Sequence, residues 1–400
     1  MTAPASPPTP PSGGVSTQTL LACGCFFSGA ALRICDSLLP RLARDFSMTT
    51  GAASQVIIAF AVAYGLAQLL FGPLGDRYGK ARMVCLALFG CAAGAAASVV
   101  APTFGFLLAT RMVWGVAAAG VVPLSMAWIG DMVPYEERQT TLAKLLMGIL
   151  GGMTAGQLAG GLFADSALGW RGAFGVLTIG YVAVGIVLFL RVRSQPPAAV
   201  SSHAALPFKT QLASVIRAPW SRVVLVAVFL EGMFLLGPLA FLPTFLHQDF
   251  GISLSVASAA IALYAVGGLV YAMTARRIVQ RLGERRMVAW GGVLMGMGFA
   301  AWWLSPWWQT AAPVALMVGF GTYLFHNTLQ THATQMAPRA RGTAVSLFAF
   351  GLFTGQAGGV ALGGWVFDRA GILPLLVVPA VVLPLTGWWF ARALKRRAQD

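Results

Sequence analysis

The chain has 400 residues, of which 58 % are hydrophobic and only 10 % charged, and its mean hydropathy is +0.76. Soluble domains carry roughly 25 % charged residues, so the composition excludes a soluble globular domain and a disordered polymer. The net charge of +15 does not signal a nucleic-acid partner, because the basic residues lie in short stretches between long apolar runs, as membrane-topology signals do.

Residues 1–17 are rich in Pro, Ser, Thr and Gly and carry no charged side chain; they are expected to be a disordered cytoplasmic N-terminus. No basic n-region precedes the first apolar run, so the first span is expected to act as its own insertion signal rather than as a cleaved leader. Twelve apolar runs follow, near 18–39, 54–73, 83–101, 104–126, 141–163, 172–190, 223–245, 254–274, 287–304, 311–331, 343–366 and 372–392. A helix needs about 20 apolar residues to cross a bilayer core of roughly 30 Å, whereas a membrane strand needs only about 10 alternating ones. The runs are long and continuous, which predicts an all-α integral membrane protein with twelve transmembrane helices. The expected division is a six-helix bundle over 18–190, a cytoplasmic linker over 191–221, a second bundle over 222–392 and a basic cytoplasmic tail over 393–400. All five cysteines, Cys23, Cys25, Cys35, Cys85 and Cys91, fall in apolar runs without a CxxC pair, so they read as small core residues and imply neither a disulfide framework nor a metal site.

With the N-terminus inside, the inner loops and tail hold 21 Lys and Arg residues, whereas the outer loops hold only Arg41, Arg44, Arg171 and Arg369. That asymmetry predicts both termini in the cytoplasm.

The chain is two copies of one unit. Residues 76–84 (DRYGKARMV) match 280–288 (QRLGERRMV) at an offset of 204, and Met132-Val133-Pro134 matches Met336-Ala337-Pro338 at the same offset. Leu39-Pro40 matches Leu242-Pro243 at 203. In the fifth span Gly148, Gly152, Gly156 and Gly160 form a four-residue ladder, and Gly351, Gly355, Gly359 and Gly363 repeat it in the eleventh at an offset of 203. Such spacing puts the glycines on one helix face, where another backbone can approach closely. Each copy holds six spans, an even number, so the halves are parallel repeats. Such repeats meet around an axis along the membrane normal, with a substrate site near the midplane between them.

The loop between the second and third spans, GPLGDRYGKAR (72–82), resembles the Gly-x-Leu-x-Asp-Arg-x-Gly-Arg-Lys signature of major facilitator superfamily transporters through Gly72, Leu74, Asp76, Arg77, Gly79, Lys80 and Arg82. Arg111 to Gly115 resembles the family's Arg-x-x-x-Gly segment in the fourth span. Asp36 to Pro40 resembles the Asp-x-x-x-Pro end of the first helix in drug/proton antiporters. Gly156-Gln157-Leu158-Ala159-Gly160-Gly161 resembles the antiporter motif, with Gln157 where those proteins carry Pro. The resemblance covers nearly the whole chain after residue 17. It implies the superfamily's two-bundle fold and a monomeric carrier of the twelve-helix bacterial drug/sugar efflux group in the inner membrane. It also implies a latch in which Asp76 accepts helix N-terminal N–H groups of the opposite half in the outward-open state. The plain alternative for 72–82 is a basic loop that only sets topology.

Four ionisable residues fall deep inside the spans: Arg33, Asp36, Arg111 and Glu231. Each costs roughly 2.5–3.5 kcal/mol at the bilayer centre if unpaired, and such residues are functional candidates by default. Arg33 and Asp36 share a helix face, and Asp36 and Arg111 lie at similar depth, so an Asp36–Arg111 pair is expected, either coupling protons or tying helix 1 to helix 4. Glu231 lies near the midplane with no basic residue in the spans of its own half, which suits it to proton coupling or substrate contact; a satisfied structural carboxyl is the alternative. The tenth span carries His326, Asn327 and Gln330, and the second Gln55, Tyr64 and Gln68. These are candidate substrate-cavity residues, or helix–helix hydrogen-bonding groups.

No Walker A loop, HExxH or strand–turn–helix GxSxG occurs, so neither ATP drive nor intramembrane enzymology is expected, and no cofactor. The expected function is secondary active transport of a small molecule by alternating access. Proton-coupled efflux of a drug, sugar or metabolite leads, and proton-coupled uptake of a small organic solute is the alternative. A transporter-like sensor stands further off. The expected partners are the substrate, protons and the lipid bilayer.

Overall fold

The computed structural model describes residues 16–193, 208–337 and 340–397; most of the expected disordered start, the middle of the expected linker, Pro338 of the repeat and the last three residues lie outside these. The first span is α1 (Thr17–Arg33) followed by α2 (Leu39–Asp45), and the second is α3 (Thr50–Ala53) with α4 (Gln55–Tyr78). Then come α5 (Lys80–Val99), α6 (Phe104–Met132), α7 (Tyr135–Asp165) and α8 (Gly169–Val192). A short helix, α9 (Phe208–Arg217), precedes the seventh span, which is built from α10 (Pro219–Glu231), a π-helical turn (Gly232–Leu236), α11 (Gly237–Leu239) and α12 (Leu242–Phe250). The eighth and ninth spans are one continuous run, α13 (Leu254–Leu304), broken at Gly283 with φ 68° and ψ 162°. The tenth to twelfth are α14 (Ala311–Gln335), α15 (Arg341–Ala370) and α16 (Leu373–Arg397).

Among the described residues, nine stretches are long and apolar enough to cross a membrane by length and composition. One of these is α13, whose 51 residues hold two spans. The 17 residues of α1 cross only with α2 added, and the apolar run of α14 is interrupted by polar residues. The helices also run past the apolar stretches on the side holding the basic loops, where α6 and α7 are separated only by Val133 and Pro134. The backbone stays helical there although the side chains turn polar.

The repeat is visible in the breaks. The first span opens at residues 34–38 and the seventh at its π-helical turn and again at residues 240–241. Each restarts at a Leu-Pro pair, Leu39-Pro40 and Leu242-Pro243, with Pro in the first turn. Proline has no N–H to continue the ladder and clashes with the carbonyl four residues earlier. The break therefore falls just before it in both halves.

The glycine ladders fasten these broken spans to their neighbours. A Cβ at Gly148, Gly152, Gly156 or Gly160 would collide with the carbonyl oxygen of Ala22, Phe26, Ala30 or Ile34, one turn of the first span per rung. In the second half Gly355 and Gly359 meet the carbonyls of Phe229 and Met233 in the same way. Gly351 and Gly363 instead face the side chains of Val228 and Phe241, each at 3.1 Å. Each ladder thus joins two helices of one half: the fifth span to the first, and the eleventh to the seventh.

Among the described residues each half has a large core, one gathering Leu88, Trp114, Phe174 and Tyr181 in the first half and the other Val228, Phe299, Phe325 and Phe390 in the second, with a small third cluster around Tyr271, Met287 and Leu324. The halves touch where α7 packs on the start of α13 and α15 packs on α3 and α4. On the side opposite the basic loops these contacts are tight. Asp165 accepts hydrogen bonds from Ser255 N at 2.7 Å and Ser255 Oγ at 2.6 Å, and Asp368 accepts from Thr49 Oγ1 at 2.6 Å and Gly51 N at 2.9 Å. Arg41 and Arg171 on that side have local partners. Arg41 pairs with Asp45 at 3.0 Å and donates to the carbonyl of Ser166 at 2.9 Å, where α7 has ended. Arg171 donates to Ala101 O at 3.2 Å and lies 4.0 Å over the Trp170 ring.

The five cysteines are free thiols, and Cys25, Cys35, Cys85 and Cys91 are buried. Among the described residues no cluster of His, Cys, Asp and Glu could hold a metal ion.

Candidate substrate and coupling site

The helix breaks deliver the intramembrane charges. Arg33 is the last residue of α1 and Asp36 lies in the turn that follows. Glu231 is the last residue of α10, just before the π-helical turn. Each group therefore sits near the middle of a long, interrupted span, where transporters of this architecture place their sites.

A cavity of about 140 Å³ lies between the halves. Its charged and polar lining comes from Arg33 on the first span, Glu231 on the seventh, Tyr264 on the eighth, His326, Thr322 and Tyr323 on the tenth and Gln356 on the eleventh. Met153, Leu236, Leu352 and Phe353 contribute apolar wall. His326 Nδ1 is 2.9 Å from Glu231 Oε2, and Glu231 is only 1 % exposed. The two are 95 residues apart in the chain and form the pair that the sequence left open: Glu231 has a cationic or hydrogen-bonding partner within its own half.

Arg33 Nη1 donates to Asp36 Oδ2 at 2.9 Å, with both side chains buried. The guanidinium carbon is 5.3 Å from the centre of the Tyr264 ring. Arg33 Nη2 and Asp36 Oδ1 have no hydrogen-bond partner. The expected Asp36–Arg111 pair does not form. Asp36 is taken by Arg33, three residues back along the same chain. Arg111 is instead enclosed by aromatic rings, 4.2 Å from the Phe60 centroid and 4.8 Å from that of Trp114, with its Nε 3.4 Å from Val56 O and its Nη1 unpaired. Ring faces carry negative quadrupole density, so they replace part of the carboxylate's attraction.

The remaining candidates separate. Tyr64 is buried, and its ring centroid lies 4.3 Å from that of Phe353 across the interface between the halves, behind the cavity wall; Gln68 is buried one turn further on. Asn327 turns away from the cavity and donates to Tyr271 Oη at 2.9 Å. Gln55 and Gln330 are exposed and line no part of the cavity. Gln55 begins α4 at the mouth of the second span, and Gln330 is exposed one turn beyond His326 on the same helix face. The sequence did not single out Tyr264, Tyr323 or Gln356. In a run of apolar residues a lining tyrosine has no pattern that separates it from a packing one.

Gln157 has a definite role. Its Nε2 donates to Ser37 Oγ at 2.7 Å, and Ser258 Oγ donates to the same oxygen at 2.7 Å. The amide thus joins the fifth span to the break in the first and, through Ser258, to the eighth span of the other half.

The loop at 72–82 is disengaged. Asp76 is exposed and makes no hydrogen bond or ion pair among the described residues, and a Cβ at Gly72 would meet nothing. Gly79 turns the chain with φ 89°, a conformation favouring glycine. Lys80 pairs with Asp131 at 2.6 Å, Arg77 lies 5.2 Å over the Tyr78 ring, and Arg82 is exposed. With the halves drawn together on the opposite side, Asp76 has no helix end to grip.

A larger void, about 570 Å³, opens among the basic ends of the second half. There Glu284, His332 and Arg397 form a chain, with His332 Nε2 3.1 Å from Glu284 and Nδ1 3.2 Å from Arg397. It lies within one half, and its lining residues are apart from the buried pairs.

Two parallel six-helix units around a buried, charge-lined cavity define a membrane transporter of the secondary type. The family model of the Major Facilitator Superfamily matches residues 21–257 and 224–399, and the chain belongs to that family. It is a multi-pass membrane transporter of small molecules, not an enzyme. The Bacillus subtilis (strain 168) protein described as uncharacterized MFS-type transporter YceJ is 24 % identical over 345 residues, covering 86 % of this chain and 87 % of the relative. Among solved structures, a bacterial homolog of the human lysosomal transporter Spinster, inward-facing and occupied, superposes with a TM-score of 0.74 at 17 % identity over 95 % of this chain and 98 % of that one. A D-xylose-proton symporter superposes with a TM-score of 0.72 at 14 % identity over 94 % and 95 %.

Proposed function

We propose that this chain is a proton-coupled exporter of a small molecule in a bacterial inner (plasma) membrane, working as a monomer with both termini in the cytoplasm. The observation that carries the proton is the Glu231–His326 contact of 2.9 Å inside the cavity between the halves. A carboxyl and an imidazole that share one hydrogen bond can hold or release a proton as their surroundings change between two conformations. Opening the cavity to one side and then the other alters that environment, and the proton's transfer then biases which state is favoured. One charge moved through 100 mV is worth roughly 2.3 kcal/mol, about a fiftyfold shift in such an equilibrium. The outward direction is supported by the resemblance of Asp36–Pro40 and Gly156–Gly161 to efflux motifs. The location is supported by the clustering of Lys and Arg on one side and by the Bacillus relative. The two bundles, 18–190 and 222–392, rock about the cavity as units.

The test is transport in proteoliposomes of known orientation across a substrate panel, with and without a pH gradient. Counterflow is expected without a gradient, and uphill efflux only with one. Glu231→Gln is expected to keep counterflow and lose uphill movement. Retained uphill movement in Glu231→Gln removes the proton role. Uphill movement inward with protons reverses the direction, and absence of counterflow for every compound removes the carrier reading.

A further inference from the structure

We infer that the substrate presents a carboxylate, or a carboxylate-like pair of acceptor oxygens, to Arg33, on a small apolar or aromatic body; this rests on the cavity between the halves being the transport site proposed above. Arg33 is 5 % exposed, and one terminal nitrogen is held by Asp36 at 2.9 Å while the other, Nη2, has no acceptor. A buried N–H of a charged group left unmade is costly, and a guanidinium offers its donors as a planar fork matched to two oxygens. Arg33 lines the main cavity and the smaller void that shares Met153 and Tyr264 with it, whereas Asp36 lines neither. The residue that borders the cavity is thus the cation and not its counter-ion, and the unpaired Nη2 is the donor that a small side-chain turn would present to a ligand. The opposing carboxylate, Glu231, already engages His326, so a cationic ligand would have to displace an existing partner and an anionic one would not. The walls fit a ring: Tyr264 lies under the guanidinium, and Tyr323 and Phe353 line the same space. At about 140 Å³ the cavity is well below the roughly 300–1,000 Å³ of drug-sized sites, which favours a single-ring acid over a large amphiphile.

The experiment measures binding to the purified full-length protein in nanodiscs, by thermal shift and intrinsic fluorescence, at millimolar ligand. It uses benzoate and phenylacetate against their amide, alcohol and amine counterparts, with acetate as the ringless control. The acids are expected to bind at least tenfold more tightly than any counterpart. Arg33→Lys is expected to weaken them about tenfold. Arg33→Gln alone strands Asp36 and can unfold the protein, so the charge-neutral double variant Arg33→Gln/Asp36→Asn carries the decision: it is expected to keep the unfolding midpoint and lose acid binding. Tighter binding of an amine or amide overturns the inference, as does undiminished acid binding in the folded double variant, or silence of the whole acid series. Loss of proton coupling with acid binding intact overturns the proposed function and leaves this inference standing; counterflow carried by amines alone does the reverse.

Discussion

Asp165 and Asp368 stand 203 residues apart, the spacing of the two glycine ladders, and each caps a span of the opposite half. Asp165 ends the fifth span and binds Ser255 at the start of the eighth; Asp368 lies near the end of the eleventh and binds Thr49 and Gly51 at the start of the second. The repeat thus supplies two equivalent clasps. Each sets a carboxylate against the positive end of a helix, on the side opposite Asp76. The clasps are closed while the signature loop is open, as alternating access requires of two gates.

Asp165→Asn and Asp368→Asn should therefore favour the state open on the clasp side. Losing a capping carboxylate costs about 0.5–2 kcal/mol, so each single variant should shift the conformational ratio several-fold, and the double variant should shift it more. Spin labels at exposed Leu168 and Val256, with native cysteines replaced, report the separation of the two ends. An unchanged distance distribution in the double variant removes the clasp.

The Arg33–Asp36 pair should behave as a unit. Removing one partner of a buried ion pair typically costs about 3–5 kcal/mol, because the other charge is left stranded. Asp36→Asn and Arg33→Gln should each lower the unfolding midpoint, and the double variant should recover much of the loss. Thermal unfolding of all four proteins gives the coupling directly. Additive losses show that the two side chains do not depend on each other.

The first-order architecture was legible because it is a matter of solvent. Twelve apolar runs, a charge asymmetry and a period near 204 need only one-dimensional information, and the ladders of Gly148–Gly160 and Gly351–Gly363 declare a close helix contact by their spacing. Their partners were not declared. Glu231 and His326 lie on spans separated by two others, and nothing in either run fixes how its helix is rotated toward the cavity. The break at 34–38 decides that Asp36 meets Arg33 and not Arg111, and a break is visible only as Pro40. Asp165 and Asp368 read as ordinary charges at span ends, because what they cap belongs to the other half.

The ladders should be unequal in their tolerance. Gly152 faces the Phe26 carbonyl with no room for a methyl group, whereas the nearest neighbour of a Cβ at Gly351 is the Val228 side chain at 3.1 Å, which can turn. Gly152→Ala should separate the fifth span from the first and cost about 1–3 kcal/mol, the usual range for overpacking. Gly351→Ala should cost less than 1 kcal/mol on the same scale. Unfolding midpoints in detergent compare them, and equal losses contradict the geometry.

Gln157 supplies the last test, because it replaces the proline of the resembled motif. Its amide donates to Ser37 Oγ at 2.7 Å and Ser258 donates to the same oxygen, so the side chain bridges spans of both halves at the helix break. Gln157→Leu keeps a similar volume and removes the donor. Ser37 then keeps Ser258 and its own 3.2 Å bond to the main-chain carbonyl of residue 157 but loses the amide donor, at a cost of about 0.5–1.5 kcal/mol for one hydrogen bond. Ser258→Ala removes only the link between halves. It should leave the unfolding midpoint nearly unchanged while increasing the population open on the clasp side, read with the same labels at Leu168 and Val256. If Ser258→Ala lowers stability as much as Gln157→Leu and leaves the distances alone, the network holds the fold and has no part in the gate.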